Sequence, residues 1–323
     1  MLNNCTLKPA SSRTGTTDGF PSRSTWPLEL LVIGDATGQT ITAGPIVNGE
    51  IQHLVFYLTC NLRFGPQTDG YLAVVMEDLD DISEWLINKQ TGLLFYETTG
   101  SASESKLRKL EILENDAIEI FVRFTVAHPE TIMTVQELTI RSLDGCCDMG
   151  SMPGGILGAV LPHLESLRHL DLGLCYDVYF PVLESEFWKP EDREQRSPPW
   201  LVQGLPPNLE TLYFRGPMEI AHGNEGRWLV EWTEAFRNSD YLPRLKSVGF
   251  WLDQPGKDGD GPEKDTRFPE KIQTARMKVE EVLGPVLRKR GIHLVDWDED
   301  GAWRDHWFDM YWPEMDDVMD QDE

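Results

Sequence analysis

The chain has 323 residues, with 54 acidic against 29 basic side chains and a formal net charge of −25. That length can bury a sizeable core, while a field of that sign repels phosphate backbones and anionic lipid, so neither nucleic acid nor a membrane surface is an expected partner. The longest apolar runs, such as Tyr71–Met76, fall far short of a bilayer span.

Residues 1–25 are rich in Ser and Thr, are broken by Pro9, Gly15, Gly19 and Pro21, and lack the apolar stretch of a secretory signal. A disordered tail is the expectation there. The five cysteines (Cys5, Cys60, Cys146, Cys147, Cys175) include no C-x-x-C pair, which suits reduced thiols in cytoplasm or nucleus. Residues 26–105 open with the apolar Trp26-Pro-Leu-Glu-Leu-Leu-Val-Ile33, which runs into a turn-rich stretch. Ile51-x-x-Leu54-x-Phe56 follows as a degenerate strand. Asp78–Asn88 has helical spacing, and Gly92–Tyr96 reads as a strand. This region is expected to hold N-terminal repeats or a small α+β cap.

From Leu107 onward the order becomes regular. Leu107-x-x-Leu110-x-Ile112-x-x-Asn115 and Leu167-x-x-Leu170-x-Leu172-x-x-Cys175 fit the leucine-rich-repeat pattern L-x-x-L-x-L-x-x-N/C. Val135-x-x-Leu138-x-Ile140, Leu209-x-x-Leu212-x-Phe214 and Leu245-x-x-Val248-x-Phe250 are partial copies, and Ile292–Val295 is the last strand. Helices are predicted between them: one after Asp116 with Ile118, Phe121, Val122 and Thr125 on one face, one with Ile156, Leu157, Val160, Leu161 and Leu164, one over Arg227–Phe236, and a long one over Pro269–Arg290 that ends at Gly291. Three strands share a Leu-Pro lead-in, at Leu161-Pro-His-Leu164, Leu205-Pro-Pro-Asn-Leu209 and Leu242-Pro-Arg-Leu245, where the proline ends the helix and turns the chain. Leu110, Leu138, Leu170, Leu212, Val248 and Leu294 are 28, 32, 42, 36 and 46 residues apart. Such gaps leave room for the crossover connections that parallel strands require. They exceed the about 20–29 residues of ordinary leucine-rich repeats, and the surplus is assigned to Glu184–Pro199 and Gln254–Thr266. The expected fold is α/β: an irregular leucine-rich-repeat-like solenoid over 106–312, with a parallel sheet of at least five strands on its concave face and helices on its convex face.

Leu161–Leu172, Leu205–Phe214 and Leu242–Phe250 resemble the irregular leucine-rich-repeat halves of filamentous-fungal F-box-type proteins. In that family an N-terminal F-box recruits a ubiquitin-ligase core and the repeats hold the target, so the resemblance implies a substrate-recognition subunit as an alternative function. Trp26-Pro-Leu-Glu-Leu-Leu31 is similar to the start of an F-box, but Gly34, Gly38, Gly44 and Pro45 stand where its helices would continue, so ligase recruitment is not carried over.

On strands of this pattern the residues between the leucines face outward. Arg108, Glu111, Thr139, Arg141, His169, Asp171, Tyr213, Arg215, Gly249 and Trp251 are therefore the candidate concave face, and Tyr, Trp and Arg are the residue types that carry most binding energy at interfaces. A non-catalytic protein-interaction module with an unknown protein partner is the expected function. An enzyme with a carboxylate-lined cleft is the alternative from another class, recognisable by a pair of carboxyls with raised pKa.

No catalytic constellation is legible, and no metal site or cofactor is expected. Asp296-Trp-Asp-Glu-Asp-Gly301 matches the first half of a calcium-binding EF-hand loop, but position 12 is Trp307 instead of a bidentate Glu, which reads as a solvated acidic turn. The seven histidines form no H-x-H or H-x-x-x-H pair. Val32-Ile-Gly-Asp-Ala-Thr-Gly is similar to the G-D-S block of certain esterases, with Ala36 in the nucleophile's place. The last 28 residues hold 12 acids, one base (Arg304) and six aromatics. The expectation is that the aromatics cap the solenoid up to Trp312 and that 313–323 is a free acidic end, too poor in apolar area to offset its ordering entropy.

Overall fold

A computed structural model describes residues 5–9, 15–16, 28–34, 40–41, 51–57, 59, 62–64, 105–113, 117–142, 157, 160–174, 202, 204–221, 227–254 and 268–295. The helix predicted at Asp78–Asn88, the strand at Gly92–Tyr96, most of both surplus loops and everything from Asp296 onward lie outside the described residues.

The strands are β1 (Cys5–Pro9), β2 (Gly15–Thr16), β3 (Leu28–Gly34), β4 (Thr40–Ile41), β5 (His53–Tyr57), β6 (Arg63–Phe64), β7 (Lys109–Leu113), β8 (Glu137–Ser142), β9 (His169–Leu174), β10 (Thr211–Pro217), β11 (Ser247–Gln254) and β12 (His293–Leu294). The helices described over their whole length are α1 (Ala117–Ala127), α2 (Pro129–Ile132), α3 (Arg227–Arg237), α4 (Phe268–Val282) and α5 (Gly284–Lys289), with 3-10 turns at Leu161–His163 and Met218–Ala221. Eight strands, in the order β3-β5-β7-β8-β9-β10-β11-β12, form one continuous parallel run. The molecule is thus an α/β protein. The patterned strands at Leu110, Leu138, Leu170, Leu212 and Val248 are all parallel neighbours in a single sheet.

β1 pairs antiparallel with β3, and β2 with β1, so among the described residues the sheet has ten strands; β4 and β6 form a separate parallel pair. The chain expected to be a tail over 1–25 therefore holds two strands. β3 supplies the physical reason: without β1 it would present an open row of backbone donors and acceptors. β3 is also the stretch similar to the start of an F-box, and it is extended rather than helical.

Alternation sorts the side chains. Leu31, Ile33, Leu54, Phe56, Leu110, Ile112, Leu138, Ile140, Leu170, Leu172, Leu212, Phe214, Val248 and Phe250 point to one face and are buried there against the helices. Helix α1 contributes Ile118, Phe121 and Phe124, and its Thr125 is buried too; α3 contributes Trp228, Leu229, Trp232 and Phe236. The helix predicted as one piece over Pro269–Arg290 is instead two, parted at Leu283. Pro285 lacks an N–H and its ring crowds the preceding turn, which breaks the run. Val279, Leu283 and Leu287 still reach the core from the two pieces, and Gly291 closes the second at φ 72°.

The lead-ins to the strands repeat one backbone device. The carbonyl of Gln52 accepts the N–H groups of both Arg108 and Lys109. Arg108 O does the same for Gln136 and Glu137, Gln136 O for Arg168 and His169, Arg168 O for Glu210 and Thr211, and Glu210 O for Lys246 and Ser247. Each strand is thereby set at the same height as its predecessor. Before β11 the turn contains Leu242 at φ 46°, an unfavourable left-handed conformation for a side chain with a Cβ. Arg290, just beyond α5, offsets this by donating to Tyr241 O at 2.7 Å and Leu242 O at 3.1 Å, while Tyr241 donates to Val202 O at 2.5 Å.

His128, between α1 and α2, sits with its ring 6.2 Å from Phe64 and 5.4 Å from Phe124, and its buried Nε2 has no hydrogen-bond partner among the described residues. Burial pushes its pKa down from 6.5 to about 4. The unfolded chain therefore binds a proton that the folded chain refuses, and stability falls as the pH drops through that window, by up to about 1.4 kcal/mol per pH unit and about 3 kcal/mol in all. Urea melts of His128→Phe between pH 7 and pH 4 are expected to lose that component of the slope; an unchanged slope would show that folding does not lower the pKa of His128.

Candidate functional site

The face of the sheet away from the helices is organised in three rows set by the strand register. The first runs Leu30, His53, Lys109, Glu137, His169, Thr211, Ser247, His293. The second runs Val32, Val55, Glu111, Thr139, Asp171, Tyr213, Gly249, and the third Gly34, Tyr57, Leu113, Arg141, Gly173, Arg215, Trp251. Thr139, Arg141, His169, Asp171, Tyr213, Arg215, Gly249 and Trp251 thus share this face as their alternation requires, together with Glu111.

Arg108 does not. It differs from Glu111 by an odd number of positions, and Lys109 takes its place on the face. Its guanidinium instead donates to Leu107 O at 3.0 Å and Thr134 O at 3.4 Å, joining two successive lead-in turns. Arg168 does the equivalent with Leu167 O and Asn208 O, at 3.3 and 3.5 Å.

The face is not uniformly open. His169 is exposed and Thr139, Asp171, Tyr213 and Arg215 are half-buried, whereas Glu111, Arg141 and Trp251 are enclosed. Trp251 folds back over Gly249, where an added Cβ would meet the indole at 2.3 Å, and its ring meets Tyr213 edge-on at 5.2 Å. Only a residue without a side chain leaves room for that indole. Arg141 Nη2 donates to Asp171 Oδ2 at 2.9 Å, across one strand boundary. At the far end Val32, Val55, Tyr57 and Leu113 form a small buried apolar cluster, which the alternation of β3, β5 and β7 encodes but the leucine pattern does not reveal.

Glu111 is the most unusual member. Its side chain is fully buried, and Oε1 accepts from His53 Nε2 at 2.8 Å and Lys109 Nζ at 2.5 Å. Burial raises its pKa, but the hydrogen bond from His53 and the charge of Lys109 outweigh that and leave it below the ordinary carboxylate value. Glu210, beside Lys246, is also lowered, chiefly by that ammonium's hydrogen bond. A general acid needs the opposite shift. Glu111 is a fixed negative charge, suited to holding a cation. His53 and Lys109 escaped the repeat pattern because one lies in the degenerate strand and the other at the strand's first position.

Among the described residues no three His, Cys, Asp or Glu side chains converge in a way that could hold a metal ion. No helix among them is long and apolar enough to cross a membrane. The half EF-hand at Asp296–Gly301 lies outside the described residues. Comparison of the chain with family models, curated proteins and solved structures returned no match.

Proposed function

We propose that the chain is a leucine-rich-repeat-like solenoid that serves as a non-catalytic protein-interaction module and binds its partner on the sheet face opposite the helices. The observation that carries this reading is the set of three side-chain rows running across consecutive parallel strands, with polar and aromatic groups held at fixed height by the repeated lead-in. A rigid, regularly spaced array of that kind suits a broad protein surface better than a small-molecule cleft. Tyr213 and Arg215, half-buried beside exposed His169, are the expected contact centre.

Trp251 is left out of the test because its indole packs on Gly249 and its loss would report on stability. The experiment is affinity purification with the full chain as bait, read by mass spectrometry, against the triple variant His169→Glu, Tyr213→Ala, Arg215→Glu. These positions face away from the helix-packed core, but Tyr213 is half-buried and meets Trp251 edge-on, so capture is compared only after the melting temperature of the variant is shown to stay within a few degrees of the wild type. Loss of specific partners from the variant supports the reading; identical capture rejects this face.

A further inference from the structure

The two oxygens of Glu111 are treated unequally. Oε1 takes both nearby donors, whereas Oε2 is equally buried and meets no hydrogen-bond donor among the described residues. A buried acceptor left unmade carries its full desolvation penalty. Lys109 cannot remedy this, because an ammonium is a compact point charge that sits on one oxygen at a time. A guanidinium offers two parallel N–H donors with the spacing of a carboxylate and would satisfy both oxygens together. Lys109 is also the accessible member of the cluster: its side chain is 36% exposed, against 0% for Glu111, so its flexible stem can carry the ammonium out to water. The net charge of −25 draws basic partners toward the molecule.

We infer that Glu111 is the anchor for an arginine presented by a basic protein segment, and that Lys109 is a placeholder displaced when that arginine lies across both carboxylate oxygens. This rests on the reading of the sheet face as the binding surface and adds the chemistry of the partner.

The test uses the full chain and two probes of equal length and charge, an oligoarginine and an oligolysine peptide, titrated calorimetrically at about 0.15 M salt so that distant charges are screened. The wild-type chain is expected to bind oligoarginine about tenfold more tightly than oligolysine, the gain of a bidentate over a single contact. Lys109→Met removes the placeholder while His53 still holds Oε1, and is expected to tighten oligoarginine binding about tenfold further, a gain that misfolding cannot produce. Glu111→Gln, checked for folding by circular dichroism, is expected to abolish the preference. Equal binding of the two peptides by the wild type, or no gain in Lys109→Met, overturns the inference and leaves only diffuse attraction to an acidic surface. If the peptides fail to discriminate while the triple face variant still loses its partners, the arginine anchor falls and the binding face stands; if neither shows an effect, both fall.

Discussion

Replacing Trp232 with alanine is expected to cost about 3–5 kcal/mol, the range for removing a large aromatic from a packed interior. Trp232 is fully buried where α3 meets the sheet. Its ring stacks on Phe236 at 5.5 Å, meets Phe250 edge-on at 5.6 Å and lies 6.3 Å from Phe214. Phe214 and Phe250 are themselves stacked across β10 and β11 at 4.6 Å, so one truncation opens a gap beneath two strands and one helix. The indole N–H has no acceptor among the described residues, so Trp232→Phe gives up volume without breaking a hydrogen bond and should cost clearly less. Val230→Ala, on the 50% exposed side of the same helix, is the control and should stay within about 0.5 kcal/mol. Denaturant midpoints of the three variants decide the matter; equal shifts for Trp232→Ala and Val230→Ala would mean that the aromatic cluster does not hold α3 to the sheet.

A comparable loss is expected from His53→Leu with Lys109→Met. Together these strip Glu111 of the His53 hydrogen bond and the Lys109 ammonium and leave a buried charge uncompensated, a change worth about 3–5 kcal/mol. The pH dependence gives a sharper reading than the size. In the wild type the folded pKa of Glu111 lies below its unfolded value, so its contribution is present above the ordinary carboxylate range and is lost as the pH falls through the folded pKa. In the double variant only burial remains, the folded pKa rises above the unfolded one, and the chain loses stability as the pH rises. The sign of the slope between pH 4 and pH 7 should differ between the two proteins once the His128 component, common to both, is subtracted. Parallel slopes would show that Glu111 finds its compensation elsewhere.

The sequence carried the parallel strands because their cause is local. Leu110, Leu138, Leu170, Leu212 and Val248 alternate with outward residues, and that alternation is what the sheet uses. The face of α3 was legible for the same reason, with Trp228, Leu229, Trp232 and Phe236 at helical spacing and all buried. What escaped depends on distant partners. Cys5–Pro9 is a strand only because β3 offers it an edge, and nothing inside residues 1–25 announces that edge. The break at Leu283 was signalled by Pro285 but masked by apolar spacing that continues on either side of it. Glu111 looked like any outward acid, since its partners are His53, 58 residues earlier, and Lys109, at the first position of the strand, where the leucine pattern points to Arg108 instead. The enclosure of Trp251 likewise follows from its fold-back over Gly249, a contact that spacing alone does not disclose.

In the parallel run, position in the sheet follows position in the chain: from β3 to β12 every new strand adds at the outer side of the last one. No strand of that run has to be inserted between two already paired. A polypeptide leaving the ribosome from its N-terminus can therefore lay down β5 on β3, then β7, then β8, each on a finished neighbour and each registered by the preceding lead-in carbonyl. Synthesis and assembly run in the same direction, and the growing edge is the part of the sheet that awaits its next strand, which makes it the place where a stalled or truncated chain would stick to its copies.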